Sequence, residues 1–241
     1  MSDQLSYSGQ ELILFQHALN WKSYYSSFIK PYIKGTVLEV GAGLGINTSV
    51  LNTNNIKKWV LLEPDRNMAS SLIEKIKHNE LTVNYSVVNC TIYDLSPEVK
   101  FDTIIYIDVL EHIRGDKSEL QQAGSLLNDE GHLIILSPAF NCLYSPFDKA
   151  IGHFRRYSKE TLSSLMPARL NKVKLIYLDS LGFFASLANR LLLRQDYPAQ
   201  TQVNFWDRYI ILLSRITDKI LFHTFGKSLL GIWKKPTATT Q

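Results

Sequence analysis

Cysteine is scarce in this chain: there are two in 241 residues, Cys90 and Cys142. Two excludes a disulfide framework and a cysteine-based zinc site, both of which need closely spaced sets of ligands. A reducing cytoplasm is the expected location. The N-terminal MSDQLSYSGQEL lacks a basic start followed by an apolar core, so no secretory signal is expected. No apolar run is long enough to span a bilayer, because Arg190, Arg194, Arg208, Arg215 and Lys219 interrupt the two most hydrophobic stretches. A basic stripe is missing as well. Lys and Arg against Asp and Glu give 18 − 19 = −1 over residues 1–179, which argues against duplex nucleic acid as a partner. The positive excess is C-terminal, 8 − 3 = +5 over residues 180–241.

Hydrophobic residues at 45% and charged residues at 20% describe an ordinary globular chain, long enough for one large domain with a substantial core. From Thr36 to Asp179 short β-branched runs alternate with helical periods, the pattern of an α/β fold with a mostly parallel sheet covered on both faces. Strands are expected at 36–41, 58–63, 83–89, 102–108, 132–137 and 172–178, and SLLGIWKK supplies a last one at 228–235, seven in all. One-sided helical spacing appears around Ser49–Leu51, over Met68–Ile76, and at Leu120, Ala123 and Leu127, with a turn at Asp129, Glu130 and Gly131.

The expected organisation is a single domain, 1–241. It comprises an N-terminal helical segment (1–34), a core (35–179), a helical insertion (180–225) and the last strand (226–235). Phe15, Trp21, Tyr24, Tyr25, Phe28 and Tyr32 make the N-terminal segment aromatic. They either pack on the sheet edge or fold over a ligand as a lid.

The stretch VLEVGAGLGINT (37–48) ends an apolar strand in three glycines. A dinucleotide turn wants its third glycine at the sixth position, but that position is Ile46. The glycines fall instead at Gly41, Gly43 and Gly45, around Ala42, with Glu39 two residues before the first. Such a turn suits a smaller ligand whose amino-acid end lies against backbone, with a carboxylate to attract an ammonium directly or through water. The second strand ends in LLEPD, which places Glu63 and Pro64 where a carboxylate can accept from both ribose hydroxyls.

Acid, one residue, then three glycines at alternate positions resembles the class I S-adenosylmethionine-dependent methyltransferases, which implies a Rossmann-like fold. Further segments match in order over roughly residues 24–180 and the last strand: NCTIYDL, FDTIIYIDVLEHI and LLNDEGHLIILSPAF. The resemblance implies S-adenosyl-L-methionine as donor, S-adenosyl-L-homocysteine as product, and no metal. It places Asn89, Cys90 and Thr91 beside the adenine, Asp108 beside the methionine portion and His112 toward the acceptor. The family often has an acid or amide at the adenine, so Cys90 and Thr91 are a departure.

The loop PAFNCLYSPFDKAIGHFRRYSKETL (138–162) resembles a bacterial subgroup that keeps Leu-Tyr, a later Asp and then Gly-His, an aromatic, Arg-Arg-Tyr. Tyr144, Arg155, Arg156 and Tyr157 are candidate acceptor contacts, able to clamp a phosphate or carboxylate. Alternatively the arginines cap the helix near Ser158 or pair with Asp148 and Glu160. His112 and His153 are candidate bases, though His112 could equally pack or cap the helix that follows it.

An Asn or Asp, two prolines and an aromatic after the fourth strand would mark a base-modifying enzyme, and Asp-Val-Leu-Glu-His stands there instead. The expected function is in-line methyl transfer, as O-methylation, to a small-molecule or lipid-linked acceptor carrying an anionic group. A non-catalytic adenosylmethionine-binding partner protein is the alternative. Trp206, Tyr209, Ile210, Leu213, Ile216 and Ile220 recur at helical spacing beside Arg208, Arg215 and Lys219. Such a face closes an apolar cavity, forms a homodimer or rests peripherally on an anionic membrane.

Overall fold

The computed structural model describes residues 10–78, 84–190 and 197–238. The first nine residues, read above for a secretory signal, and Arg194 lie outside them. Seven strands form one sheet: β1 Gly35–Val40, β2 Ile56–Leu62, β3 Asn84–Val88, β4 Phe101–Ile107, β5 Leu127–Pro138, β6 Asn171–Leu178 and β7 Ser228–Lys234. Their order is β3-β2-β1-β4-β5-β7-β6. Strands β1 to β5 pair in parallel, and β7 runs antiparallel between β5 and β6. This is the Rossmann-like, mostly parallel sheet expected from the sequence.

The central strands read as unbroken apolar runs because both faces are covered. Alternate residues go to opposite sides. Leu38, Val60, Ile104, Tyr106, Leu133 and Trp233 pack with helices α5 (Asp116–Leu126) and α7 (Lys159–Leu165) on one face. Val37, Trp59, Leu61, Ile105, Ile134 and Ile232 meet Trp21, Tyr24, Tyr25 and Ile29 of helix α2 (Leu19–Ile29) on the other.

The N-terminal helical segment consists of α1 (Gln10–Phe15) and α2, the second stopped by a 3-10 turn at Lys30–Tyr32. Pro31, which offers no backbone N–H to continue a helix, lies in that turn. The glycine turn leads from β1 into α3 (Ile46–Leu51), and α4 (Arg66–His78) follows β2. The turn expected at Asp129–Gly131 lies inside β5, as a loop-out where register jumps from Phe101–Leu127 to Thr103–His132. Leu127 accordingly belongs to a strand and not to the preceding helix.

After β6 come α8 (Ser180–Ala188), α9 (Gln200–Phe205), a π-helical turn at Trp206–Ile210 and α10 (Ile211–Ile220). Three aspartates bind this segment to the rest of the chain. Asp207 accepts from the backbone amides of Asn20 (3.1 Å) and Trp21 (2.8 Å), giving α2 the capping that its own N-terminus lacks. Asp218 accepts from the backbone amides of Asp179 and Ser180 and from the hydroxyl of Tyr24. Asp179, fully buried, accepts from Gly182 N, the Trp206 indole and the Ser214 hydroxyl.

Candidate active site

A cavity of about 410 Å³ opens at the carboxyl ends of β1, β2 and β4, with α1 and the segment after β5 as its other walls. Its lining separates into two ends.

At one end the backbone of Gly41, Ala42 and Gly43 forms the wall. Gly41 and Ala42 donate to Leu62 O (2.8 and 3.2 Å), and Gly43 donates to Glu63 Oε2 (2.8 Å). Gly41 and Gly43 take φ +66° and +54°, and a Cβ on Gly41 would stand 2.7 Å from Val109. Only glycine combines that φ with that clearance. Gly45 shapes the turn from behind, against Leu72, and does not line the cavity. Asp65 N donates to the other Glu63 oxygen (2.9 Å), so both oxygens are fixed while each keeps a lone pair for a ligand hydroxyl. Burial pushes the Glu63 pKa up, and the two amides oppose that rise.

Pro64, Cys90, Thr91 and Ile92 continue the wall from there. Asp94 holds Thr91 through its amide and hydroxyl. Asn89 does not line the cavity; its amide donates to the carbonyls of Glu63 and Pro64 and ties β3 to β2.

Glu39 does not face the cavity, which corrects the expectation of an acid meeting a ligand ammonium there. Its carboxylate is buried behind the turn, where Oε2 accepts from Thr48 Oγ1 (2.7 Å) and Trp59 Nε1 (3.0 Å) and so fastens α3 to β2. Burial raises its pKa to about 7, with those two donors opposing the rise.

At the other end stand Asp108, Glu111, His112 and His153. Asp108 follows β4 with φ +52° and presents its side chain to the open cavity while protein surrounds it on the remaining sides. That surrounding lifts its pKa to about 6, against the pull of His153, Lys227, Lys22 and Arg156. His112 sits in a 3-10 turn (Leu110–His112), where burial and neighbouring His153 push its pKa down to about 3. The two imidazoles meet edge-on at 4.6 Å. Glu111 is fully buried, and burial followed by the nearby Asp108 raises its pKa well above the carboxylate range. Ser137 lies beside Glu111 without reaching hydrogen-bond geometry; its hydroxyl and both Glu111 oxygens lack a hydrogen-bond partner among the described residues, and His153 Nε2 stands 3.8 Å from Oε1.

The loop after β5 is organised by Asp148. Its carboxylate takes His153 Nδ1 (2.8 Å) on one oxygen and is bridged across both oxygens by Arg156 (2.8 and 3.0 Å). Burial pushes this acid's pKa up, but the His153 hydrogen bond and the Arg156 guanidinium outweigh burial and hold it well below the usual carboxylate range.

The arginine pair is therefore not the acceptor clamp expected from sequence. Arg156 lines the cavity but is committed to Asp148. Arg155 turns away to Asp116 and the Arg114 carbonyl. Tyr157 is buried against Asp116 and Leu110 O, and the Tyr144 hydroxyl donates to His153 O. None of Arg155, Tyr157 and Tyr144 lines the cavity. Neighbouring residues on an extended segment point to opposite sides, which a clamp built from an adjacent pair overlooks.

Sequence reasoning also missed Glu11, Leu12, Lys22, Asp148 and Lys227 as lining residues. One signal for Asp148 was present. Ser-Pro-Phe-Asp at 145–148 is a capping box, with Ser145 and Asp148 bonding each other's backbone at the start of α6 (Pro146–Ala150). The aromatic alternatives both occur: Phe15, Trp21 and Tyr25 border the cavity, while Tyr24 and Tyr25 also pack on the sheet.

The fold and this cavity define a class of protein: the methyltransferases built on a Rossmann-like sheet with an antiparallel last strand. A family model described as a methyltransferase domain matches residues 21–174, and the chain belongs to that family. Solved structures agree on the fold. The N-methyltransferase NodS from Bradyrhizobium japonicum WM9 superposes with TM-score 0.55 at 15% identity, over 92% of this chain and 97% of that one. NodS has also been solved with S-adenosyl-L-homocysteine. An S-adenosylmethionine-dependent methyltransferase from Clostridium acetobutylicum ATCC 824 gives 0.55 at 12%, over 91% of each chain. The [4+2]-cyclase SpnF gives 0.58 at 14%, over 95% and 94%. A comparison with curated protein sequences finds no match.

Proposed function

We propose that this protein is an S-adenosylmethionine-dependent methyltransferase that O-methylates a small-molecule or lipid-linked acceptor bearing an anionic group. The observation that carries this reading is one continuous cavity with a backbone cradle and Glu63 at one end and the Asp108–Glu111–His112–His153 group at the other. The side-chain-free wall at Gly41 and Gly43 fits the amino-acid portion of the donor, Glu63 its ribose, Cys90, Thr91 and Ile92 its adenine, and Asp108 the methionine end. When bound, the donor supplies a sulfonium methyl, an electrophile that needs no activation by the protein.

What the chain itself contributes is placement and exclusion of water, which together can supply on the order of 7 to 11 kcal/mol. His112, neutral near pH 7 because its pKa is held down to about 3, accepts a hydrogen bond from the acceptor hydroxyl. Asp148 fixes the ring of His153 so that its Nε2 faces Glu111 and the cavity. Lys227, whose ammonium stands 4.7 Å over the Trp206 ring, supports an anionic acceptor.

A lipid-linked acceptor is favoured by the outer face of the last helices. Phe205, Tyr209, Leu213, Ile216 and Ile220 are exposed there, with Arg208 and Lys219 beside them, while Trp206 of the same segment lines the cavity. No helix among the described residues is long and apolar enough to cross a membrane, so contact would be peripheral. Binding to phosphatidylglycerol vesicles at low salt is expected, and its absence removes the membrane contact.

Release of S-adenosylhomocysteine with an acceptor from a phenol, sugar-phosphate and prenyl-alcohol panel tests the reaction. A protein that binds the donor but transfers to nothing would instead be a binding partner. Calorimetry showing no affinity for either adenosyl compound would overturn both readings.

A further inference from the structure

We propose that Glu111, His112 and His153 form a binding site for a divalent first-row cation, zinc or manganese in class, at the acceptor end of the cavity. One potential ligand atom from each residue lies within 4.8 Å of the others. Around a tetrahedral ion with bonds of about 2.0 Å, ligand atoms stand roughly 3.3 Å apart, so the three need to close by about 1.5 Å at most. Two of them are nearly there: His153 Nε2 is 3.8 Å from Glu111 Oε1.

Glu111 is the strongest reason to invoke an ion. A fully buried carboxyl with no hydrogen-bond partner on either oxygen among the described residues is costly, and such groups normally hold a cation, a partner or a proton. The nearby guanidinium of Arg156 is already bridged by Asp148. Both imidazoles are oriented from behind. Asp148 accepts from Nδ1 of His153, which leaves the Nε2 lone pair directed at Glu111, the carboxylate–histidine arrangement that prepares a metal ligand. His112 is held by a backbone hydrogen bond at Gly152 and packs edge-on against His153.

Two imidazoles with one carboxylate suit zinc, manganese, iron or cobalt better than calcium. Because all three residues border the cavity, a bound ion keeps coordination positions open toward it. Those positions would take an oxygen of the acceptor in place of its hydrogen bond to His112, whose lone pair the ion then occupies, and this role, unlike the ion site itself, rests on the methyl-transfer reading. No metal-ligand spacing is legible along the chain because the loop after β5, not local sequence, brings His153 to His112.

The test uses the full chain, freed of metal by chelator and titrated with zinc and manganese by calorimetry, and with cobalt by visible absorption. One equivalent is expected to bind, with cobalt d–d bands of a nitrogen- and oxygen-ligated site. Glu111→Gln and His153→Ala should each weaken binding by at least tenfold and abolish those bands. Asp148→Asn, a positioning change, should weaken it by about 10- to 100-fold. Glu111→Gln preserves volume, and its S-adenosylhomocysteine affinity should stay within about threefold of the parent, since loss of a contact outside the donor end is worth little there. Failure of all three ions to bind stoichiometrically, or unchanged affinity in Glu111→Gln, overturns the site and leaves Glu111 a buried protonated acid. Stoichiometric ion binding without affinity for the adenosyl compound would keep the site and remove the methyl-transfer reading.

Discussion

The two ends of the cavity are built by different physical means. The donor end is made of backbone, with its amides fixed on Glu63 and its glycines leaving space, so its shape follows from a single strand–turn–helix. The acceptor end is made of side chains from the turn after β4 and from a loop 40 residues later in the chain, held by one buried acid, Asp148. A backbone cradle tolerates change around it and fails when bulk is added. An ionic hub fails when a single charge is removed.

Removing the hub should have the largest effect. Asp148→Ala leaves the Arg156 guanidinium buried without its partner, which costs about 3–5 kcal/mol, and frees His153. Thermal unfolding should show the loss and methyl transfer should cease; a stability change below 1 kcal/mol would mean the loop has another anchor.

Next comes the cradle. Gly41→Val forces a β-branched side chain into positive φ against Val109, and donor affinity should fall by a hundredfold or more while folding is largely kept. Glu63→Ala removes charge-assisted hydrogen bonds worth about 1.5–3 kcal/mol, again read by calorimetry with S-adenosylhomocysteine. Unchanged affinity in both variants would remove the donor site from this cavity.

Glu39→Gln separates the turn's support from its binding face. Its acid has a raised pKa of about 7 in the folded chain against an unfolded value near 4.3, so its contribution to stability is greatest below about pH 4 and is lost as pH rises through 7. The glutamine variant should therefore flatten the stability profile between those limits and leave donor affinity unchanged. A large affinity loss would restore Glu39 to direct contact with the donor.

The smallest effect is expected for Arg155→Ala. Its pair with Asp116 is partly exposed, so about 1 kcal/mol or less is at stake, and acceptor KM should stay within about twofold, which is the reverse of what a substrate clamp requires.

How much of this was legible in the sequence follows the same division. Six of the seven strands could be read within two residues, and β5 with its start five residues late, because strands buried on both faces are continuous apolar runs and most turns between them are local. Gly41, Gly43 and Glu63 were legible for the same reason. Glu39 was placed at the right strand end but on the wrong side, since Trp59 and Thr48, which claim its carboxylate, come from other elements. The Arg156–Asp148 pair was legible as one of two alternatives, whereas the contacts of Arg155 and Tyr157 with Asp116 were not. Which buried acid each one meets depends on the path of the loop, and Asp116 and Asp148 lie 39 and 8 residues before their respective arginines.

The position of β7 has a consequence for synthesis on the ribosome. Strand β6 emerges some 50 residues before the strand that joins it to β5, and until β7 arrives it has no neighbour in the sheet. Lys227 and Ser228, part of the cavity wall, come with that last strand. A nascent chain that has already displayed its glycine turn thus still lacks a finished chamber, and ligand capture must await the emergence of β7.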